Sequence, residues 1–132
     1  MSVNAIARAA VAAASLCLSI TSALAGASDY TIEAVAPEIR TGANSAVAIR
    51  IRHTTTGKPV EGAIVFRTRL DMAPDDMAAM TAKHAAIPST EPGVYRFDAE
   101  ITMAGRWAFR VMAKVQGEIE TVQGVVVLQA TD

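Results

Sequence analysis

From residue 30 onward the chain alternates apolar and polar side chains with a period of two, and this period limits its possible folds more than any other feature. In residues 46–53, Val47, Ile49 and Ile51 alternate with Ala48, Arg50 and Arg52; in 94–101, Tyr95, Phe97, Ala99 and Ile101 alternate with Arg96, Asp98 and Glu100. Such segments bury one face and wet the other, as strands of antiparallel sheets do. Further strands are predicted over 30–36, 63–70, 106–115 and 118–128. Turn chemistry separates them: Gly57 and Pro59 in 54–62, Pro88 to Gly93, Ala104-Gly105, and a hairpin at Gln116-Gly117. Gly124 is expected to kink or bulge the last strand. The fold class that follows is all-β: an immunoglobulin-like antiparallel β-sandwich of six or seven strands with one short helix or loop insertion.

The first 25 residues break this pattern. Arg8 precedes an apolar run, and Ala23-Leu24-Ala25 offers small residues at a cleavage site, so 1–25 is expected to be a secretory signal peptide and 26–132 a single secreted domain. A retained anchor is the weaker reading, because the apolar run is interrupted by serines and a threonine and is shorter than a membrane span. Cys17 lies inside this segment and no cysteine follows it, so the domain has no disulfide, no thiolate nucleophile and no Cys-bound zinc. A formal net charge of −1 with no basic cluster gives no reason to expect nucleic acid as a partner. No nucleophile motif or phosphate loop is present, and the chain is not expected to be an enzyme.

One stretch stands apart, residues 70–87, with Met72, Met77, Met80 and His84; Met103 arrives later, in a chain holding six methionines and two histidines. Residues 74–84 are alanine-rich and lack glycine, which predicts a short helix: Pro74 at its first position, Asp75 and Asp76 in its first turn, Lys83 and His84 in its last. Met77, Met80 and His84 would then share one face, with Met72 and Met103 as additions. Thioether and imidazole donors select Cu(I), while methionines in general also fill cores. Asp71, Asp75 and Asp76 would steer the cation, or form a calcium site, though their spacing is not that of a calcium loop. His53 reads as a strand-end residue, Trp107 as a core aromatic, and the strand arginines, Arg67, Arg69 and Arg110 among them, as a solvated face or an anion or partner surface.

Gly57-Lys-Pro-Val-Glu-Gly-Ala63, Gly93-Val-Tyr95 and Met103-Ala-Gly-Arg-Trp107 together resemble the YtkA-like domain, related to the FixH-like proteins, over roughly residues 30–128. The resemblance implies a small secreted or periplasmic β-sandwich, often encoded or fused with copper and heavy-metal handling proteins or cytochrome oxidase assembly factors, and without established catalytic activity. It supports Met72, Met77 and Met103 as site residues, and His84 less directly. Where many relatives have a compact Met-Pro-x-Met, this chain has Met72-Ala-Pro-Asp-Asp-Met77, so Met80 is expected to take one place. The expected function is carriage or buffering of Cu(I), with a membrane-bound copper transporter or oxidase assembly protein as partner. The alternative is a metal-free interaction module serving such a partner.

Overall fold

The computed structural model describes residues 27–132, so the expected signal peptide and its cleavage site lie outside the described residues. Among the described residues nine strands form in chain order: β1 (Tyr30–Ala34), β2 (Glu38–Arg40), β3 (Gly42–His53), β4 (Ile64–Met72), β5 (Met77–Ala82), β6 (His84–Ile87), β7 (Val94–Ile101), β8 (Gly105–Lys114) and β9 (Val122–Thr131). They divide into two sheets, ordered β1-β3-β7-β6 and β2-β9-β8-β4-β5. All pairs are antiparallel except β2, which runs parallel to β9. This is the strand order of an immunoglobulin-like sandwich, with the first strand split between the sheets.

Alternation dictates the core. Val47, Ile49, Phe97, Ala99 and Ile101 from one sheet meet Leu70, Trp107, Phe109, Val111, Val126 and Leu128 from the other, all buried. Immunoglobulin domains often join their sheets by a disulfide; here Phe97 and Phe109 fill the gap edge to face, with ring centroids 5.0 Å apart. Trp107 is fully buried, as expected for a core aromatic.

Two of the sequence motifs maintain one end of this core. Gly93 has a positive φ of 73° and lies so close to Pro59 that an added Cβ would fall 2.6 Å from the proline Cβ. The Tyr95 hydroxyl donates to the Val60 carbonyl at 2.7 Å and accepts from the Ala63 amide at 2.9 Å. Thus Gly57 to Ala63 is pinned across Gly93 to Tyr95.

Four expectations need correction. The predicted helix over 74–84 is absent: one 3-10 turn, Ala73–Asp75, is followed directly by β5 and β6. Asp76 ends that turn at φ 59°, a left-handed conformation that no helix continues through. Second, nine strands replace six or seven, because β2, β5 and β6 are short edge strands and little alternation fits in them. The expected two-residue hairpin at Gln116-Gly117 is a longer connection between Lys114 and Val122, tightened by the Glu118 amide donating to the Val115 carbonyl. Gly124 produces no bulge; it pairs in register with Val111. Its missing side chain admits Ile32 of the opposite sheet, whose Cβ would lie 2.8 Å from an added Cβ.

Candidate metal centre

The end of the sandwich where β4 passes to β5 and β7 passes to β8 gathers three of the candidate methionines. Met72 closes β4 and is fully buried. Met77 opens β5 directly opposite it in the strand register and packs, partly buried, on the core. Met103 stands in the turn before β8, about two-fifths exposed.

The Met103-Ala-Gly-Arg-Trp107 motif fastens its turn to the loop that follows Met72, residue by residue. Buried Trp107 donates its indole N–H to the Met103 carbonyl at 3.1 Å, which fixes the turn from within. Gly105, at φ 136°, leaves room for its neighbours: an added Cβ would stand 2.7 Å from Met72 Cε and 2.6 Å from Asp75 Oδ2. Arg106 then locks the two loops together. Its amide donates to Asp75 Oδ2 at 2.7 Å, its Nε to Asp75 Oδ1 at 2.8 Å, and a terminal nitrogen to the Pro74 carbonyl at 2.7 Å. The Arg106 amide, then its guanidinium, hold the Asp75 carboxyl below the usual carboxylate range. Asp75 therefore clamps two loops rather than starting a helix.

Met80 and His84 lie along the seam where the chain crosses between sheets. The register of β5 against β4 jumps between Thr81 and Met77, so Met80 sits in an irregular edge segment, 39% exposed. His84 begins β6 on the other sheet, opposite Ala99. Its Nδ1–H donates to the Ala82 carbonyl at 3.0 Å, and Nε2 meets the Thr68 hydroxyl. The ring also packs edge-on against Phe109, with centroids 5.6 Å apart. A carbonyl only accepts, so Nδ1 carries hydrogen and the Nε2 lone pair is the one facing Thr68. Metal ligation by this histidine therefore requires Thr68 to give way. Because β5 and β6 are strands, Met77, Met80 and His84 do not share a helical face.

Asp71 is also reassigned. It is 2% exposed, and its Oδ2 accepts from Arg69 Nε at 3.0 Å and Arg110 Nε at 2.9 Å while Oδ1 accepts from the Ala73 amide at 3.0 Å. Burial pushes its pKa up, but the hydrogen bonds from Arg110, Ala73 and Arg69 outweigh that and hold the carboxyl below its ordinary value. Arg69 and Ala73 are each two residues from Asp71 in the chain, whereas Arg110, 39 residues away, is brought to it only by the pairing of β4 with β8. Among the described residues no three His, Cys, Asp or Glu side chains converge as a metal site, so the aspartates do not assemble the calcium alternative there. His53 lies opposite Tyr30 across β1 and β3, with its ring against the tyrosine's, away from the methionines.

The YtkA-like family model matches residues 24–112, most of the chain. No curated protein matches. Among solved structures, the adhesin InvE of Yersinia pseudotuberculosis is 15% identical with a TM-score of 0.45, over 80% of this chain and 27% of the adhesin. The ZirS C-terminal domain is 9% identical with a TM-score of 0.44, over 86% of this chain and 75% of that domain. The chain thus spans little more than a quarter of the length of the adhesin it matches. Among the described residues no helix is long and apolar enough to cross a membrane. By its match over residues 24–112, the chain belongs to the YtkA-like family.

Proposed function

We propose that this protein binds Cu(I) as cargo in the periplasm, carrying or buffering it through Met72, Met77 and Met103. Met80, exposed on the edge strand β5, would be an additional donor, and His84 is recruited only if Thr68 releases it. The observation that carries the reading is the Arg106–Asp75 clamp, which fastens the Met103 turn to the loop that follows Met72. Neither partner of that clamp fills the core, and it fastens the turn carrying Met103 to the loop between Met72 and Met77, which supports a shared site there. Thioethers need no deprotonation to bind, and they favour Cu(I) over hard cations. Met72 is enclosed, so loading involves an opening of the short edge strand β5, which pairs with β4 alone. A carrier with no enzymatic step and a membrane-bound transporter or oxidase assembly protein as recipient agrees with such a site.

The test is a Cu(I) titration of the purified protein against a chromophoric chelator. Met77→Ala with Met103→Ala is expected to weaken binding at least tenfold, and His84→Ala much less. Failure of the unmodified protein to compete, or equal affinity in the double variant, overturns the reading.

A further inference from the structure

The outer face of the β2-β9-β8-β4-β5 sheet carries a feature that copper binding does not use. A groove of about 410 Å³ runs across β4, β8 and β9, lined by Arg67, Arg69, Arg110, Met112 and Val125 among others, and no acidic residue lines it. Val125 is 53% exposed, and Val127, two residues on and on the same face, is 51% exposed. The floor is therefore apolar and the rim cationic.

The rim is also pre-organised. Arg69 and Arg110 pair directly across β4 and β8, an arrangement of like charges that is ordinarily unfavourable. Buried Asp71 sits between their Nε atoms and holds both guanidiniums in place, while contributing almost no negative surface of its own. Arg69 also donates a terminal nitrogen to the Ala78 carbonyl at 2.9 Å, while Arg110 engages only its Nε and keeps both terminal nitrogens for a carboxylate; guanidiniums so fixed lose little freedom when they bind. Among the described residues the Arg67 guanidinium has no ion-pair or side-chain hydrogen-bond partner.

We propose that this groove docks an acidic, apolar-containing segment of another protein. Its carboxylates pair with Arg67, Arg69 and Arg110, and its apolar side chains rest on Met112, Val125 and Val127. Charge complementarity selects this occupant. A second copy of the chain would set arginines against arginines across a two-fold interface, and a lone inorganic anion would leave the valines wet.

The test is an amide-resolved NMR titration of the purified protein with the synthetic peptide Glu-Leu-Asp-Tyr-Glu-Leu-Glu. Parallel titrations use its Gln/Asn counterpart, a version with alanine in place of leucine and tyrosine, and phosphatidylglycerol vesicles. The acidic apolar peptide is expected to shift amides around the groove saturably, with at least tenfold weaker binding for the amide peptide and for Arg67→Glu, and weaker binding for the alanine peptide. Arg67 is the residue to change, because replacing Arg110 would strand the buried carboxylate of Asp71. The proposal is overturned by an absence of shifts at the groove, by equal binding of the Gln/Asn peptide, by unchanged binding in Arg67→Glu, or by vesicles binding where the peptide does not. None of these readouts depends on copper, so the groove and the methionine site stand or fall separately.

Discussion

Asp71 illustrates how far a residue's role depends on its neighbours rather than on its type. In sequence it is one of three aspartates beside methionines; in the fold it is a buried carboxylate shared by two arginines and a backbone amide. Replacing it with asparagine leaves two guanidiniums facing each other without compensation, and a loss of about 3 kcal/mol in folding stability is expected from urea denaturation. The pH dependence follows from the same contacts. Asp71 and Asp75 both titrate below their ordinary values in the folded protein. Their stabilising contribution is therefore complete above the unfolded carboxylate range of about 4 and is lost as pH falls through the lower, folded values. Denaturation midpoints between pH 5 and pH 2 are expected to fall, and to fall less in Asp71→Asn and Asp75→Asn. The tyrosines behave in the opposite sense. Burial, then the hydrogen bond to Glu118, raises the Tyr30 hydroxyl to about 12, and burial raises Tyr95. An ultraviolet titration is expected to show less tyrosinate at pH 10 in the folded protein than after unfolding.

At the scale of elements, the long strands were legible because each carries enough alternation to declare a buried face. The range predicted over 94–101 coincides with β7. The segment Met77–Ala82 was not legible, because alanine and methionine suit a helix and a half-exposed edge strand alike. What decides between them is tertiary: β4 and β7 each offer an unpaired edge, and β5 and β6 take one each. The Gly105 turn shows the reverse case, in which a short motif was visible in sequence but its reason was not. That reason is the room it leaves for Met72 and Asp75. Gly105→Ala combines a positive φ with two close contacts, and is expected to destabilise the fold by about 2 kcal/mol. It is also expected to weaken Cu(I) binding, because the Met103 turn must move away from Met72. Tyr95→Phe tests the other motif pair: the loss of two hydrogen bonds at Val60 and Ala63 is expected to cost about 2 kcal/mol with copper affinity unchanged.

At the scale of the molecule, the two ends of the sandwich are tied in different ways. One end, around Pro59 and Tyr95, is tied by backbone and hydroxyl contacts. The other, around Met72, Met77 and Met103, is tied by an ion pair on the surface, with Met72 buried beneath it and Met103 exposed. The outer face of the larger sheet presents arginines over valines. The candidate donors were legible as residue types, since methionine and histidine carry their chemistry wherever they stand. Their grouping was not, since it depends on a β4–β5 turn and on a cross-strand clamp over 31 residues of chain. In the proposed function, Met72, Met77 and Met103 receive Cu(I) together. The direct measurement is NMR of the protein labelled at methionine methyl carbons, titrated anaerobically with Cu(I). Met112 on the outer face serves as an internal control. The methyl signals of Met72, Met77 and Met103 are predicted to shift together and saturate at one equivalent while that of Met112 stays in place. Shifts spread equally over all methionines, or none at these three, would contradict it.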